Sequence, residues 1–499
     1  MIVTHDRALR EYLNLIDGKE VPAADGQVFT STNPTTGREW GTFALSGTAD
    51  VDAAVRAADR AFQGPWAAIS PTRRGRLLSR WGALIAENAE FVGRLESIQN
   101  GKVLAEMRTQ AIASEDWLHY FGGLADKVEG SVVPLARSSV LNYTLREPLG
   151  VVAVVLPWNS PTFMTVMAAA PALAAGNTVV IKPSEITCAS AVELAAMALE
   201  AGLPEGVVNV VTGLRESGEA LIDHPLVRKV SFIGSVPAGR AIGARTGGRL
   251  ITSTLELGGK SPNIVFADAD LDLAENGLLT GIFAAAGQTC VAGSRAYIHE
   301  TVYDELVARI VDRAGAIQVG DPLLERTQMG PVATRAQLAK DEALVEQAVA
   351  EGAEVLYGGS RVTVPDHPGG FFYAPTILHR AARAHTIMRE EVFGPVLAVT
   401  PFRDDAEVVA LANDSDFGLA AGVWTRDVRR AHTMARALQA GTVWINTYRA
   451  LAYNSPFGGY KDSGTGRNNG LEAIHQYLQT KSVWCELGTD IPDPFVIRV

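Results

Sequence analysis

The chain has 499 residues, with 44 Lys plus Arg against 55 Asp plus Glu and a formal net charge of −11. That length predicts about three compact units with a large core, and the acidic balance excludes the basic field that nucleic acid or an anionic membrane surface needs. At 47% hydrophobic and 20% charged residues, with 48 Gly and 24 Pro, the composition is globular and excludes disorder and collagen-like order.

Three cysteines, Cys188, Cys290 and Cys485, leave at least one unpaired and exclude a disulfide-built scaffold. A reducing, cytoplasmic setting is expected. The N-terminus lacks the basic start, apolar run and small-residue cleavage site of a signal peptide. The most apolar region, 161–181, is interrupted by Pro171, Gly176 and Asn177. It falls short of the roughly 20 continuous apolar residues that span a bilayer, so it reads as core, and no membrane partner is expected.

In chain order, the first 50 residues alternate short apolar patches with the turn signals Asp17-Gly18, Asp25-Gly26 and Asn33-Pro34, which predicts hairpins. Residues 50–125 carry apolar positions at helical spacing, broken at Gly64-Pro65 and Ser70-Pro71; three or four helices are expected. Residues 131–146 return to β-rich composition and predict a protruding strand pair. The short apolar runs 151–156, 178–181, 207–211, 229–233 and 251–257 predict parallel strands buried on both faces, with helices as crossovers. That is a doubly wound α/β, Rossmann-type architecture. A second α/β unit follows Gly258, with strands expected at 263–266, 296–299, 396–401, 421–424 and 442–445.

Four segments carry candidate chemistry. Gly234, Ser235 and Gly239 follow a strand and open a helix, as in a phosphate-binding turn; taken alone the signal is weak, and a packing turn is the favoured reading. Cys290, in Gly287-Gln288-Thr289-Cys290, lies at a break between a helix and a strand among small residues, where a ligand can approach it. A structural cysteine remains the other reading. Glu256 ends an apolar strand before Leu257, Gly258 and Gly259; it either pairs with a cation such as Lys260 or has a raised pKa suited to proton transfer. Asn159, in Pro157-Trp158-Asn159, follows the first buried strand, where such sheets bind ligands and an amide can donate to an oxyanion.

Pro157-Trp158-Asn159, Ile181-Lys182-Pro183-Ser184-Glu185, Leu255-Glu256-Leu257-Gly258-Gly259, Gly287-Gln288-Thr289-Cys290 and Glu391-Val392-Phe393-Gly394-Pro395 occur together in this order. Jointly they resemble the NAD(P)-dependent aldehyde dehydrogenase superfamily, nearly end to end. The resemblance implies the following. Cys290 is the nucleophile, forming a thiohemiacetal and then a thioester; Asn159 and the Cys290 backbone N–H bind the oxyanion; Glu256 activates the hydrolytic water. Lys182 completes the expected catalytic set. Glutamate at position 256 sets the chain apart from relatives that acylate coenzyme A. For the cofactor, Gly234, Ser235 and Gly239 match the pyrophosphate turn, flanked by Trp158; Lys182, Ser184 and Glu185 match the adenine-ribose block; Leu257, Glu391 and Phe393 match the nicotinamide end. A carboxylate at Glu185 favours NAD, with NADP possible through Lys182 and Arg215. The substrate tunnel maps to Ser160, Phe163, Met164, Met167, Trp117, Leu118, Leu451 and Phe457, an apolar lining that favours an aromatic or medium-chain aliphatic aldehyde. Arg449 stands close by, as a rim arginine or a contact for a substrate carboxylate.

The resemblance further implies an NAD-binding domain of residues 1–129 and 149–257 and a catalytic domain of 258–462. Residues 130–148 and 463–499 form an oligomerisation arm and C-terminal segment, and the assembly expected is a homodimer or homotetramer. Asn468 stands where many relatives carry a proton-relaying glutamate, and an amide takes up no proton; Gln479 replaces a glutamate at the subunit interface. The nine histidines show no metal-ligand spacing, so no metal is expected. Alternatives are an esterase working at Cys290, a non-catalytic binding or structural protein of the same fold, and a semialdehyde dehydrogenase using NADP.

Overall fold

The apolar runs between residues 151 and 257 become the centre of an eight-stranded sheet, because strands buried on both faces need no polar alternation. Its order is Gly464–Thr465, Thr252–Glu256, Val227–Ile233, Val151–Val155, Thr178–Lys182, Val208–Val210, Asn14–Ile16 and Lys19–Val21. The five strands between residues 151 and 256 are parallel, and the outer ones join antiparallel. The computed structural model describes residues 10–489 and residue 495; the expected divisions that begin at residue 1 and end at residue 499 thus have their outermost parts outside the described residues.

From Val151–Val155 the chain proceeds to one side through the next two strands, then returns to the other side through Val227–Ile233. The loops leaving these two neighbouring strands therefore part at their carboxyl ends and open a crevice. Helices α1 (Thr48–Gln63), α2 (Pro71–Glu87), α3 (Ala89–Asn100) and α4 (Leu104–Leu124) precede the parallel strands. Helices α5 (Pro161–Ala174), α6 (Cys188–Glu200), α7 (Arg215–Asp223) and α8 (Val236–Gly248) connect them. Strand alternation sorts the two faces. Val152 and Val154 pack with Trp81, Phe121, Val166 and Leu194, whereas Val151 and Ala153 pack with Val55, Leu221 and Ile242. Among the described residues no helix is long and apolar enough to cross a membrane.

The second sheet has seven strands in the order Glu354–Tyr357, Thr376–His379, Val396–Phe402, Arg295–His299, Pro262–Val265, Ala420–Trp424 and Thr442–Ile445. Two of these escape the sequence reading. Glu354–Tyr357 is an antiparallel edge strand that stays largely exposed and needs no apolar run. Thr376–His379 is only four residues long and follows Pro375. At the N-terminus, Asn14–Ile16 and Lys19–Val21 form the hairpin that Asp17-Gly18 signals, with both turn residues at positive φ.

A third sheet, Leu478–Glu486, Val140–Pro148 and Val132–Val133, is antiparallel throughout. Val132 is 72% exposed and Trp484 is 64% exposed. Residues 463–477 do not join this arm. Gly464–Thr465 takes the free edge of Thr252–Glu256, and Ala473, Ile474 and Tyr477 enter the core beneath α5.

Candidate active site

Seven pieces of chain converge on the mouth of the crevice. The loop after Val151–Val155 brings Trp158 and Asn159, α5 adds Met164 and Met167, and the turn after Val227–Ile233 brings Gly234 and Ser235. Thr252–Glu256 delivers Glu256 at its carboxyl end, followed by Leu257. From the second unit come Cys290, Glu391, Phe393 and Phe457. Together they enclose a cavity of about 210 Å³.

Cys290 follows the short 3₁₀ turn Ala284–Gly287, in which Ala285 and Ala286 hold φ of 57° and 51°. Phe393 has φ of 62°. Left-handed non-glycine residues cost of order 1–3 kcal/mol each and persist where the surroundings over-determine them. Here the two loops brace each other. A Cβ on Gly287 would lie 2.0 Å from the Gly394 carbonyl oxygen, and one on Gly259 would lie 2.5 Å from that of Cys290. Only glycine admits such contact.

Burial pushes the Cys290 thiol up to about 12, and the Glu391 and Glu256 carboxylates add to the effect. Burial also raises Glu256 well above the ordinary carboxylate range, with Arg467 a partial offset. Neither Glu256 carboxyl oxygen has a hydrogen-bond partner among the described residues. The ion pair with Lys260 is therefore not formed: Lys260 is buried beside Arg295 and Glu391. Gly458 lets the glutamate lie close, since a Cβ there would come 2.9 Å from Glu256 Oε1. Asn159 Nδ2 donates to the Gln288 carbonyl at 3.2 Å, which ties the amide to the cysteine loop. Asn468, buried, has neither amide atom paired among the described residues, and its backbone bridges that of Phe457.

The cofactor residues divide between packing and contact. Ser235 is the N-cap of α8 but its side chain makes no capping bond, so the helix presents backbone N–H groups suited to a pyrophosphate. Gly239 does not line the cavity; a Cβ on it would lie 2.5 Å from Leu257 Cδ2, and it serves close helix–strand packing. Trp158 meets Phe393 edge-on at 5.3 Å. Glu391 Oε1 accepts the Gly259 N–H at 2.9 Å, with Lys340 Nζ on the Glu391 carbonyl at 2.7 Å. Lys182 stands apart from Cys290. Its Nζ is 3.8 Å from Glu185 Oε2, outside the cavity lining, because its strand lies one place further from Glu256. Ser184 donates to the Glu185 carboxylate at 3.4 Å.

On the substrate side Met164, Met167 and Phe457 line the cavity, whereas Ser160, Phe163, Trp117 and Leu451 do not. The Ser160 hydroxyl is turned onto the Asn159 carbonyl, and Lys102 Nζ donates to it at 3.3 Å. Trp117 stacks edge-on against Phe163 at 4.7 Å and continues through Tyr453 to Tyr120. Leu118 is in the core, and Leu451 is 40% exposed on its loop. Arg449 Nη2 donates to Glu106 at 3.2 Å, and Lys102 Nζ lies 3.8 Å from the same carboxylate. Gln337 and Lys340 line the cavity without any prior signal, since they reach it from a helix of ordinary composition, Arg335–Ala350.

This fold and this set of side chains define a cofactor-dependent oxidoreductase built around a half-buried cysteine. The sequence model of the aldehyde dehydrogenase family matches residues 21–483, and the chain belongs to that family. It is 43% identical over 476 residues to a betaine aldehyde dehydrogenase of Brucella anthropi, covering 95% of this chain and 97% of that one. Among solved structures it is similar to an NAD-dependent aldehyde dehydrogenase of Sinorhizobium meliloti, with 39% identity, TM-score 0.95 and coverage of 98% and 97%. An NAD⁺ complex of an aldehyde dehydrogenase of Bacillus cereus matches with 40% identity and TM-score 0.93 over 96% and 97%. The protein is thus an NAD-dependent enzyme that oxidises an aldehyde to its acid without acylating coenzyme A.

Proposed function

We propose that Cys290, Asn159 and Glu256 carry this oxidation, a reading supported above all by their convergence on one cavity with Glu391 and Phe393. Both acidic groups are displaced toward their neutral forms, so the thiol gives up its proton to solvent as its sulfur bonds to the aldehyde carbon. The resulting oxyanion accepts hydrogen bonds from the Asn159 amide, a preorganised donor of the kind worth about 3–4 kcal/mol. NAD supplies the hydride acceptor when bound. Glu256, in its ionised form, then takes a proton from water, whose oxygen displaces sulfur from the thioester, and passes that proton to the departing Cys290 thiolate. Gln337 and Lys340 hold the loop of Glu391 and Phe393 against the nicotinamide end. The half-exposed Glu185 carboxylate disfavours a 2′-phosphate and so favours NAD.

For the substrate, we take betaine aldehyde first, moving away from a purely apolar aldehyde. The names of the similar Brucella enzymes support this. A second reading, an aldehyde bearing a carboxylate, is favoured by one observation: Lys102 and Arg449 share the single carboxylate of Glu106 beside the tunnel. We further propose that the third sheet pairs copies of the chain into an oligomer, given its exposed apolar side chains. NADH appearance with betaine aldehyde, a carboxylate-bearing semialdehyde and a neutral aromatic aldehyde, each with NAD and NADP, tests the substrate. A kcat/KM at least tenfold higher for betaine aldehyde with NAD is expected; preference for the semialdehyde, abolished by Arg449→Met, would replace it. Cys290→Ala is expected to abolish oxidation and keep NAD binding, which a non-catalytic binding protein would not show.

A further inference from the structure

The end of α3 grips the oxyanion loop residue by residue. Asn100 Nδ2 donates to the Trp158 carbonyl at 3.3 Å, Lys102 Nζ to Ser160 Oγ at 3.3 Å, and the Thr162 N–H donates to Glu96 Oε1 at 2.6 Å. All three side chains belong to buried residues. The grip is made at the place where local capping fails. Ser160 is the N-cap of α5, yet its side chain makes no capping bond, because the hydroxyl donates to the Asn159 carbonyl at 2.7 Å. Pro161 has no N–H, so Thr162 carries the first unclaimed donor of the helix, and Glu96 takes it from another element. The same turn repeats the device next door. Thr187, the N-cap of α6, makes no capping bond, and the Ala189 N–H donates to Gln99 Oε1 at 2.9 Å. Gly101 makes the tight exit possible, with φ of 79° and a Cβ position 2.7 Å from Pro331.

We propose that Glu96 is a positioning residue of the reaction: its carboxylate caps α5 in trans and so fixes the preceding Asn159 amide at the oxyanion. Asn159 is held between two anchors, the capped helix behind it and the Gln288 carbonyl in front. Loss of the cap frees α5 to shift its first turn, and the amide moves with it. A displacement of the order of 1 Å is enough to cost about 100-fold in rate. The proposal rests on the oxyanion role given to Asn159, and the test separates the two.

The experiment is a double-mutant cycle on the full-length protein, read as steady-state kcat and KM for the best aldehyde of the panel, with the NAD Kd measured by fluorescence. Glu96→Ala is expected to lower kcat about 10- to 100-fold, leaving the NAD Kd within about twofold. Glu96→Gln keeps an acceptor oxygen and is expected to restore kcat to within about fivefold. In an Asn159→Ala background, Glu96→Ala is expected to add less than about threefold, because residues acting as one unit are non-additive. Full multiplication of the two losses, or an unchanged kcat in Glu96→Ala, overturns the proposal while the oxyanion reading stands. An Asn159→Ala variant with undiminished kcat sinks that reading and this one together. Should Glu96→Ala not fold, Asn100→Ala releases the same loop from its other end, and the same pattern in the cycle is required of it.

Discussion

Burial displaces both Cys290 and Glu256 toward their neutral forms, with the Glu391 and Glu256 carboxylates adding to the effect on the thiol and Arg467 opposing it at Glu256. For a thiol raised to about 12, the reactive thiolate is the minor form at neutral pH, and its population rises tenfold per pH unit. The rate of Cys290 alkylation by iodoacetamide in the free protein is therefore expected to climb steadily between about pH 7 and pH 10 without a plateau; a plateau near pH 8 would mean an ordinary thiol. Glu256→Gln is expected to give one equivalent of NADH per site in a stopped-flow burst, then turnover slowed at least about 100-fold, since thioester hydrolysis loses its base. Both residues stand out in the sequence because they sit at breaks between elements. What the sequence leaves open is each one's company. Lys260, four residues from Glu256, looks like its partner until the fold sends it to Arg295 and Glu391. Gln337 and Lys340 carry no motif at all, because a helix surface becomes a cavity wall only through tertiary packing.

At the scale of elements, the turn Ala284–Gly287 sets the cysteine loop with two left-handed alanines. Ala285→Gly relieves that conformation while loosening the unfolded chain, and the two effects roughly cancel, so stability within about 1 kcal/mol of the parent is expected. Ala285→Val places a β-branched side chain at positive φ and is expected to lose about 2 kcal/mol or more, read from denaturant midpoints at constant slope. The parallel strands were legible because burial on both faces writes an uninterrupted apolar run, as in Val151–Val155. Glu354–Tyr357 was not, since an exposed edge strand needs only backbone partners. Trans-capping by α3 is equally silent in the sequence: Glu96 and Thr162 lie 66 residues apart.

For the whole molecule, the acidic charge and the two large sheets were readable from composition and pattern, whereas the destination of the last 40 or so residues was divided in a way no local signal announces. Residues Leu478–Glu486 pair with Val140–Pro148, but Gly464–Thr465 returns to the first sheet. Trp484→Asp places a charge on the exposed apolar side of the third sheet. If that sheet joins copies of the chain, the variant is expected to sediment as a smaller species than the parent while folding normally; an unchanged sedimentation coefficient would remove the sheet from the interface.

The strand Gly464–Thr465 covers the edge of the very strand that ends in Glu256. During synthesis some two hundred residues separate the two, so the first sheet emerges from the ribosome with its Thr252–Glu256 edge bare and remains so until residues 464 and 465 have been added. Exposed edges of this kind template intermolecular pairing. Chains stopped before residue 464 would thus carry a complete set of crossover helices and still be sticky, and a two-residue strand made long after the sheet it covers doubles as the seal on that sheet's edge.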